Sequence, residues 1–89
     1  MRVFAISRDS PWCHVAWRQV LDLNFPLISD WNGEAVRGFG IAGEYRSMRD
    51  VPIRSAFLIG RDGIIRGAWQ YEPSEVPDFD VLLEAARLL

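Results

Sequence analysis

RSAFLIGRDGIIRGAW, residues 54–69, decides how this chain is read. Two apolar stretches rich in β-branched and aromatic residues flank Asp62-Gly63, and an Asp-Gly pair tolerates the positive φ that a tight hairpin turn needs. The stretch therefore predicts an antiparallel hairpin. Arg54 stands at the start of the first strand, where a charge is costly to bury and must be paired or held at an open cleft. A guanidinium fixed at a strand end serves as an anion anchor, or it caps the strand against a nearby Glu or Asp. The residue pattern alone leaves both roles open for Arg54.

Upstream of the hairpin, strand and helix signals alternate. Val3-Phe4-Ala5-Ile6 is an apolar run of the kind buried on both faces of a parallel sheet. Ser10-Pro11 supplies an N-cap and a proline at the first helical position. The helix they open reaches about Leu23, with Trp12, Val15, Ala16, Val20 and Leu23 on one stripe. Phe25-Pro26-Leu27-Ile28 reads as a second short strand. Ser29-Asp30 caps a short helix over residues 33–39, which Gly40 or Gly43 stops. Residues 42–51 are polar and glycine-bearing and read as a loop, as do residues 70–77. The last segment, 78–89, is an amphipathic helix with Phe79, Leu82, Leu83, Ala86 and Leu89 on one face. Asp78 and Asp80 in its first turn and Arg87 in its last suit the helix dipole. The order β-α-β-α-β-β-α predicts one α/β domain over residues 1–89 with a mixed sheet.

Bulk properties exclude several classes. At 89 residues, 49% hydrophobic and 25% charged, the chain has the composition of a single globular domain, not of a disordered segment. All ten basic residues are arginine, yet the net charge is −2, which weighs against a nucleic-acid partner. No apolar run is long enough to span a bilayer, and residues 1–9 hold no signal-peptide core. The single cysteine cannot form an internal disulfide, which fits a cytoplasmic location. There is neither a phosphate-binding glycine loop nor metal-ligand spacing, so no cofactor or metal is expected.

Three motifs together resemble one family. Ala5-Ile6-Ser7-Arg8-Asp9-Ser10, Phe25-Pro26-Leu27-Ile28-Ser29-Asp30, and Arg54-Ser55-Ala56-Phe57-Leu58-Ile59 with Asp62-Gly63 are similar in order and spacing to S-x-D-S, F-P-L-L-S-D and R-x-x-F-x-I-D-x-x-G of the peroxiredoxins. These are the alkyl hydroperoxide reductase/thiol-specific antioxidant family of thioredoxin-like thiol peroxidases. The resemblance covers essentially all 89 residues. It implies a truncated thioredoxin-like fold, because the family carries its peroxidatic cysteine in a T-x-x-C segment at the start of a helix that follows a strand-helix-strand portion of roughly fifty residues, and nothing here corresponds to either. In that fold a further strand lies between the equivalents of 3–6 and 55–59. Without it those strands pair directly in a rearranged sheet, a second chain fills the gap, or the piece is poorly stable. A start codon assigned too late, or a gene fragment, accounts for the same observation.

The resemblance also assigns roles. Arg54 matches the active-site arginine that stabilises the cysteine thiolate and polarises the peroxide. Cys13 matches a position that is usually serine or threonine and does not inherit the peroxidatic role. Some relatives place a resolving cysteine in this helix, which makes Cys13 a candidate for that role; otherwise it is a small half-buried stand-in for serine. His14 adjoins it, but neighbouring helical side chains diverge by about 100°, so a surface or capping histidine is expected rather than a dyad. Trp12, Trp17, Trp31 and Tyr45 either pack internally or, for Trp12 and Trp31, contribute to a homodimer surface. The implied partners are a peroxide, either hydrogen peroxide or an organic hydroperoxide, and a thiol reductant, either thioredoxin-like or of low molecular weight. The chain as it stands is expected to lack peroxidase activity. The competing expectation is a non-catalytic thioredoxin-like binding or dimerisation module.

Overall fold

The computed structural model describes residues Met1–Leu89, which form two compact units, Met1–Pro52 and Ile53–Leu89. The first contains β1 (Ala5–Ser7), α1 (Pro11–Val20), β2 (Leu27–Ser29), α2 (Glu34–Gly38), β3 (Ala42–Tyr45) and β4 (Met48–Pro52). The second contains β5 (Ser55–Ile59), β6 (Ile65–Gln70) and α3 (Phe79–Arg87).

In the first unit β1 and β2 pair in parallel, Ala5 opposite Leu27, Ile6 opposite Ile28 and Ser7 opposite Ser29. Strand alternation puts Ala5, Ser7 and Leu27 on one face, where they line an open apolar groove of about 310 Å³ with His14 and Trp17 of α1. Ile6 and Ile28 alternate to the opposite side and are exposed, as are Val3 and Phe4 ahead of the strand, so the 3–6 run is not buried on both faces as its apolar pattern predicts. The helix begins as its sequence dictates, with the Ser10 hydroxyl accepting the Cys13 N–H at 3.1 Å and Pro11 in the first turn. It ends earlier than Leu23. Asp22 turns left-handed at φ 50°, and the Asp22 and Leu23 N–H groups donate to the carbonyls of Gln19 and Arg18, a Schellman closure built on aspartate. The short α2 closes the same way on Gly40, at φ 71°, through bonds from Gly40 to Arg37 and from Ile41 to Val36. At its start Asp30 reaches the N–H groups of Ala35 at 2.8 Å and Val36 at 3.0 Å. Val36 is the core of this unit, 1% exposed.

One element departs from the expected order β-α-β-α-β-β-α. Residues 42–52 are not a loop but an antiparallel hairpin, so two further strands precede the Asp-Gly hairpin. Its turn is Arg46-Ser47, both with positive φ (49° and 68°), the two-residue geometry usually supplied by Asn-Gly. Asp50 is a bulge residue, unopposed between the Gly43–Val51 and Glu44–Arg49 pairs and left-handed at φ 54°. No turn signal marks these residues in the sequence; bonds from outside the hairpin hold Arg49 and Asp50. The single mixed sheet is corrected too. Parallel and antiparallel pairings both occur, but as three two-stranded ladders, each joining strands that are consecutive in sequence. No helix is long and apolar enough to cross a membrane.

The second unit matches its reading closely. β5 and β6 pair antiparallel from Ser55 opposite Gln70 to Ile59 opposite Ile65. Gly63 takes φ 81°, its N–H bonds the Gly60 carbonyl at 3.0 Å, and Gly60 returns a bond to Ile64 at 2.9 Å. Asp62 secures the turn further, accepting from the Ile64 N–H at 3.1 Å and from Arg66 at 2.6 Å. The Trp69 ring lies over Gly67, where a Cβ would come within 2.5 Å of it. Helix α3 packs on β5 and is capped by the Asp78 carboxylate, which accepts from Asp80 and Val81.

Candidate functional site

Arg54 immediately precedes β5, and both ends of the residue are held. Its carbonyl accepts the Tyr71 N–H at 2.8 Å, the bond that follows the last rung of the hairpin. Its side chain turns to the same segment, with Nη1 donating to the Pro73 carbonyl at 2.7 Å. That carbonyl comes from a β-turn over residues 72–75, with proline at the position that favours it. The Glu75 N–H bonds the Glu72 carbonyl at 2.9 Å, and the Glu75 carboxylate accepts the Glu72 N–H at 3.0 Å. The guanidinium is exposed, and its Nε and Nη2 hydrogens, side by side on one edge, bond to nothing within the chain. Such an edge matches a planar anion or an oxygen bearing developing charge.

The structure brings Cys13 and His14 into different surroundings despite their adjacency. Cys13 is an exposed free thiol in the first turn of α1. His14, expected at the surface, is instead 5% exposed, because α1 lays it against the end of β1. Its Nε2 lies 2.5 Å from the Ser7 hydroxyl, which also bonds the Asp9 carboxylate at 2.9 Å and accepts the Asp9 N–H at 3.2 Å. The serine proton points to Asp9, so the Nε2 contact is satisfied with the imidazole as donor. Nδ1 is buried and has no partner within the chain. The histidine belongs to this Ser7–Asp9 network and not to the thiol. Trp12 and Trp31 are 79% and 60% exposed, so neither is a core residue.

A charged cluster in the first unit escaped the sequence reading. Arg8 donates from Nη1 to the carbonyls of Asp50 (2.7 Å) and Arg49 (3.3 Å), and from Nη2 to that of Trp31 (3.1 Å). Arg37 bonds the Asn32 carbonyl at 2.8 Å and pairs with the Asp50 carboxylate at 3.4 Å. Both guanidiniums pass Gly33, where a Cβ would lie 2.8 Å from Arg37 and 3.2 Å from Arg8. Beneath them sits Asp30, 6% exposed. Burial pushes its carboxyl pKa up, but the N–H donors of Ala35 and Val36 and the charges of Arg8 and Arg37 outweigh burial and hold it below 3.8. The sequence carries no signal for this cluster, because the left-handed backbone at Gly33 and Asp50 around which it forms is set by the fold. No group of three His, Cys, Asp or Glu side chains is placed to hold a metal ion.

Known proteins agree with the three motifs. The sequence profile of the AhpC/TSA family matches residues 1–68. The chain is 34% identical over 87 residues to alkyl hydroperoxide reductase E of Mycobacterium tuberculosis, covering 96% of this chain and 55% of that protein. It is 28% identical to a thioredoxin peroxidase of Echinococcus granulosus, covering 99% of this chain and 46% of that one. Among solved structures, the C47S mutant of Xylella fastidiosa PrxQ superposes with a TM-score of 0.77 at 28% identity, over 97% of this chain and 53% of the other. The chain thus spans about half the length of the curated relatives it matches. On the family profile, the identity to these relatives and the superposition, this is a thioredoxin-like fold and the chain belongs to the AhpC/TSA family of peroxiredoxins.

Proposed function

We propose that this chain provides the arginine side of a thiol peroxidase site, with Arg54 as the catalytic cation. The observation that carries the reading is the Arg54 guanidinium, fixed through Nη1 with an unspent Nε–Nη2 edge, at the residue whose motif resembles the one carrying the family's active-site arginine. In the reaction a cysteine thiolate attacks one peroxide oxygen; an S–O bond forms as the O–O bond breaks. Sulfur is oxidised to the sulfenic acid, and the peroxide is reduced to an alkoxide or hydroxide that takes a proton from solvent. A guanidinium edge stabilises both the thiolate before attack and the leaving oxygen during it. Two thiol equivalents, from a thioredoxin-like protein or a small thiol, then return the sulfur to the thiol and release water and a disulfide.

In this reading the attacking thiolate is not Cys13. Its helix-start position corresponds to the family's S-x-D-S loop rather than to T-x-x-C, and Cys13 serves at most as the resolving thiol. The protein works in the cytoplasm on hydrogen peroxide or organic hydroperoxides. A thioredoxin-coupled peroxide assay on the 89-residue chain tests this. Peroxide consumption that is lost in Cys13→Ser overturns it, and no cysteine-dependent turnover is the expected result. A T-x-x-C segment in the reading frame ahead of the Met1 codon would supply the attacking thiolate, and a stop codon immediately ahead of it would overturn the peroxidase reading. In protein carrying that segment, Arg54→Ala should lower kcat/KM for peroxide by about 10²–10³.

The exposure of Trp12 and Trp31 favours a second reading, a dimerisation module without catalysis. Sedimentation of the chain and of Trp12→Ala/Trp31→Ala decides it. A dimer that dissociates on the double substitution supports a homodimer through these tryptophans, and a monomeric parent chain removes it.

A further inference from the structure

The segment after β6 does more than lead into α3. We propose that Glu75 is a positioning residue for Arg54, closing the 72–75 turn so that the Pro73 carbonyl holds Nη1 and aims the Nε–Nη2 edge. The inference deepens the reading of Arg54 given above and rests on it for its catalytic meaning.

Three observations carry it. The turn is closed twice between the same two residues, by the Glu75 N–H on the Glu72 carbonyl and by the Glu75 carboxylate on the Glu72 N–H. The second closure is the half of a capping box in which an acidic side chain reaches back three residues. The two closures use both backbone groups of Glu72 and the N–H of Glu75, while the carbonyl of Pro73, whose φ is fixed by its ring, is left to a side-chain donor. That carbonyl is where Arg54 Nη1 arrives, at 2.7 Å. The Tyr71 N–H meanwhile holds the Arg54 carbonyl, so the turn sits at a fixed offset from the residue it orients. An exposed arginine otherwise rotates freely about several bonds. One carbonyl on a rigid turn removes most of that freedom without spending the edge that faces an anion. Glu75 never touches the guanidinium in this arrangement and acts through the turn.

Side-chain ¹⁵N relaxation of the Arg54 Nε–H in the full chain reads this directly, the resonance being identified by its loss in Arg54→Lys. Arg61, at the exposed tip of the other turn, is the internal reference for a free guanidinium. The Arg54 order parameter should exceed that of Arg61 in the parent chain and fall to the Arg61 value in Glu75→Ala. Glu75→Gln keeps the acceptor oxygen and should retain the parent value. Glu75→Asp keeps the charge, shortens the reach and should loosen Arg54 as alanine does. Amide exchange along β5 and β6 should stay unchanged, which separates loosening from unfolding; if Glu75→Ala unfolds, the aspartate and glutamine variants decide between them. An Arg54 already as mobile as Arg61, or equally ordered in the parent, alanine and aspartate chains, overturns the proposal. Because the readout is motion rather than turnover, a peroxide assay insensitive to Arg54→Ala would sink the catalytic reading while leaving this result standing.

Discussion

The two hairpins of this chain are made by different physics. β5 and β6 close on Asp62-Gly63, where the glycine takes the left-handed φ at no steric cost and the aspartate bonds both the next turn N–H and Arg66. Everything that turn needs lies within five residues of it. β3 and β4 close on Arg46-Ser47 and carry a further left-handed residue at Asp50, three positions where a side chain opposes the conformation. At Asp50 the opposition is offset from far away in sequence: Arg8 holds the carbonyls of Arg49 and Asp50, and Arg37 holds the Asp50 carboxylate. A hairpin can be specified by its own turn or imposed by its neighbours, and only the first kind announces itself in a sequence.

The contrast is broken most severely by removing the imposing residue. Arg8→Ala deletes three bonds from one charged group and leaves the Trp31 and Asp50 carbonyls to find other partners. A loss of about 2–3 kcal/mol is expected. Native-state hydrogen exchange should show it as lost protection across Met48–Pro52 with little change in Ser55–Ile59. Equal loss in both hairpins would show that β3 and β4 do not depend on Arg8 in particular.

Gly63→Ala attacks the self-specified turn instead. A Cβ at Gly63 meets no atom within 4 Å, so the whole cost is the backbone strain of alanine at φ 81°, about 1–2 kcal/mol. Exchange protection should fall in β5 and β6 this time, and chemical denaturation of the variant measures the amount. An unchanged midpoint would mean the turn has relaxed to another geometry.

These two hairpins also mark what could be read in advance. The Asp-Gly hairpin, the Ser10 cap and the Asp78-capped last helix are legible because each rests on residues adjacent to it, whereas the burial of the 3–6 run depends on partners across the chain and does not follow from its apolar pattern. Arg54 was legible as a cation at a strand start, but its anchor on the Pro73 carbonyl was not, since backbone acceptors carry no residue signature. The burial of His14 is not legible in sequence because it depends on α1 packing on β2 beside the end of β1, and the Ser7 hydroxyl that receives it is seven residues away. The 42–52 hairpin was missed for the same reason, with Arg8 about forty residues from the carbonyls it holds.

Asp30 gives the comparison a pH axis. Its carboxyl pKa is below the ordinary value in the folded chain, so the folded state holds the proton less tightly than the unfolded state does. The stabilisation is fully present once pH exceeds the unfolded value near 4 and disappears as pH falls through the folded one. Acidification below about pH 4 should therefore loosen α2 and the hairpin that shares Arg8 and Arg37 with it. Asp30→Asn should flatten that part of the acid limb, while Gly63→Ala should not. Amide shifts of Ala35 and Val36 followed against pH provide the measurement, and a limb unchanged in Asp30→Asn would remove Asp30 from the account.

The smallest change runs in the stabilising direction. Ser47 sits at φ 68° in a turn position that glycine takes freely, so Ser47→Gly relieves strain in the folded hairpin. Glycine also gives the unfolded chain more conformations to lose, which takes back part of the gain. A net stabilisation of about 0.5 kcal/mol remains. Arg46 is kept, because its guanidinium lies 5.2 Å from the centre of the Tyr45 ring and that contact would be lost with it. In an Arg8→Ala background the same substitution should recover part of the lost protection in β3 and β4, since a turn that specifies itself depends less on its neighbours. If it recovers none, the strain at Arg46-Ser47 is not what Arg8 opposes, and the bulge at Asp50 alone needs the arginine.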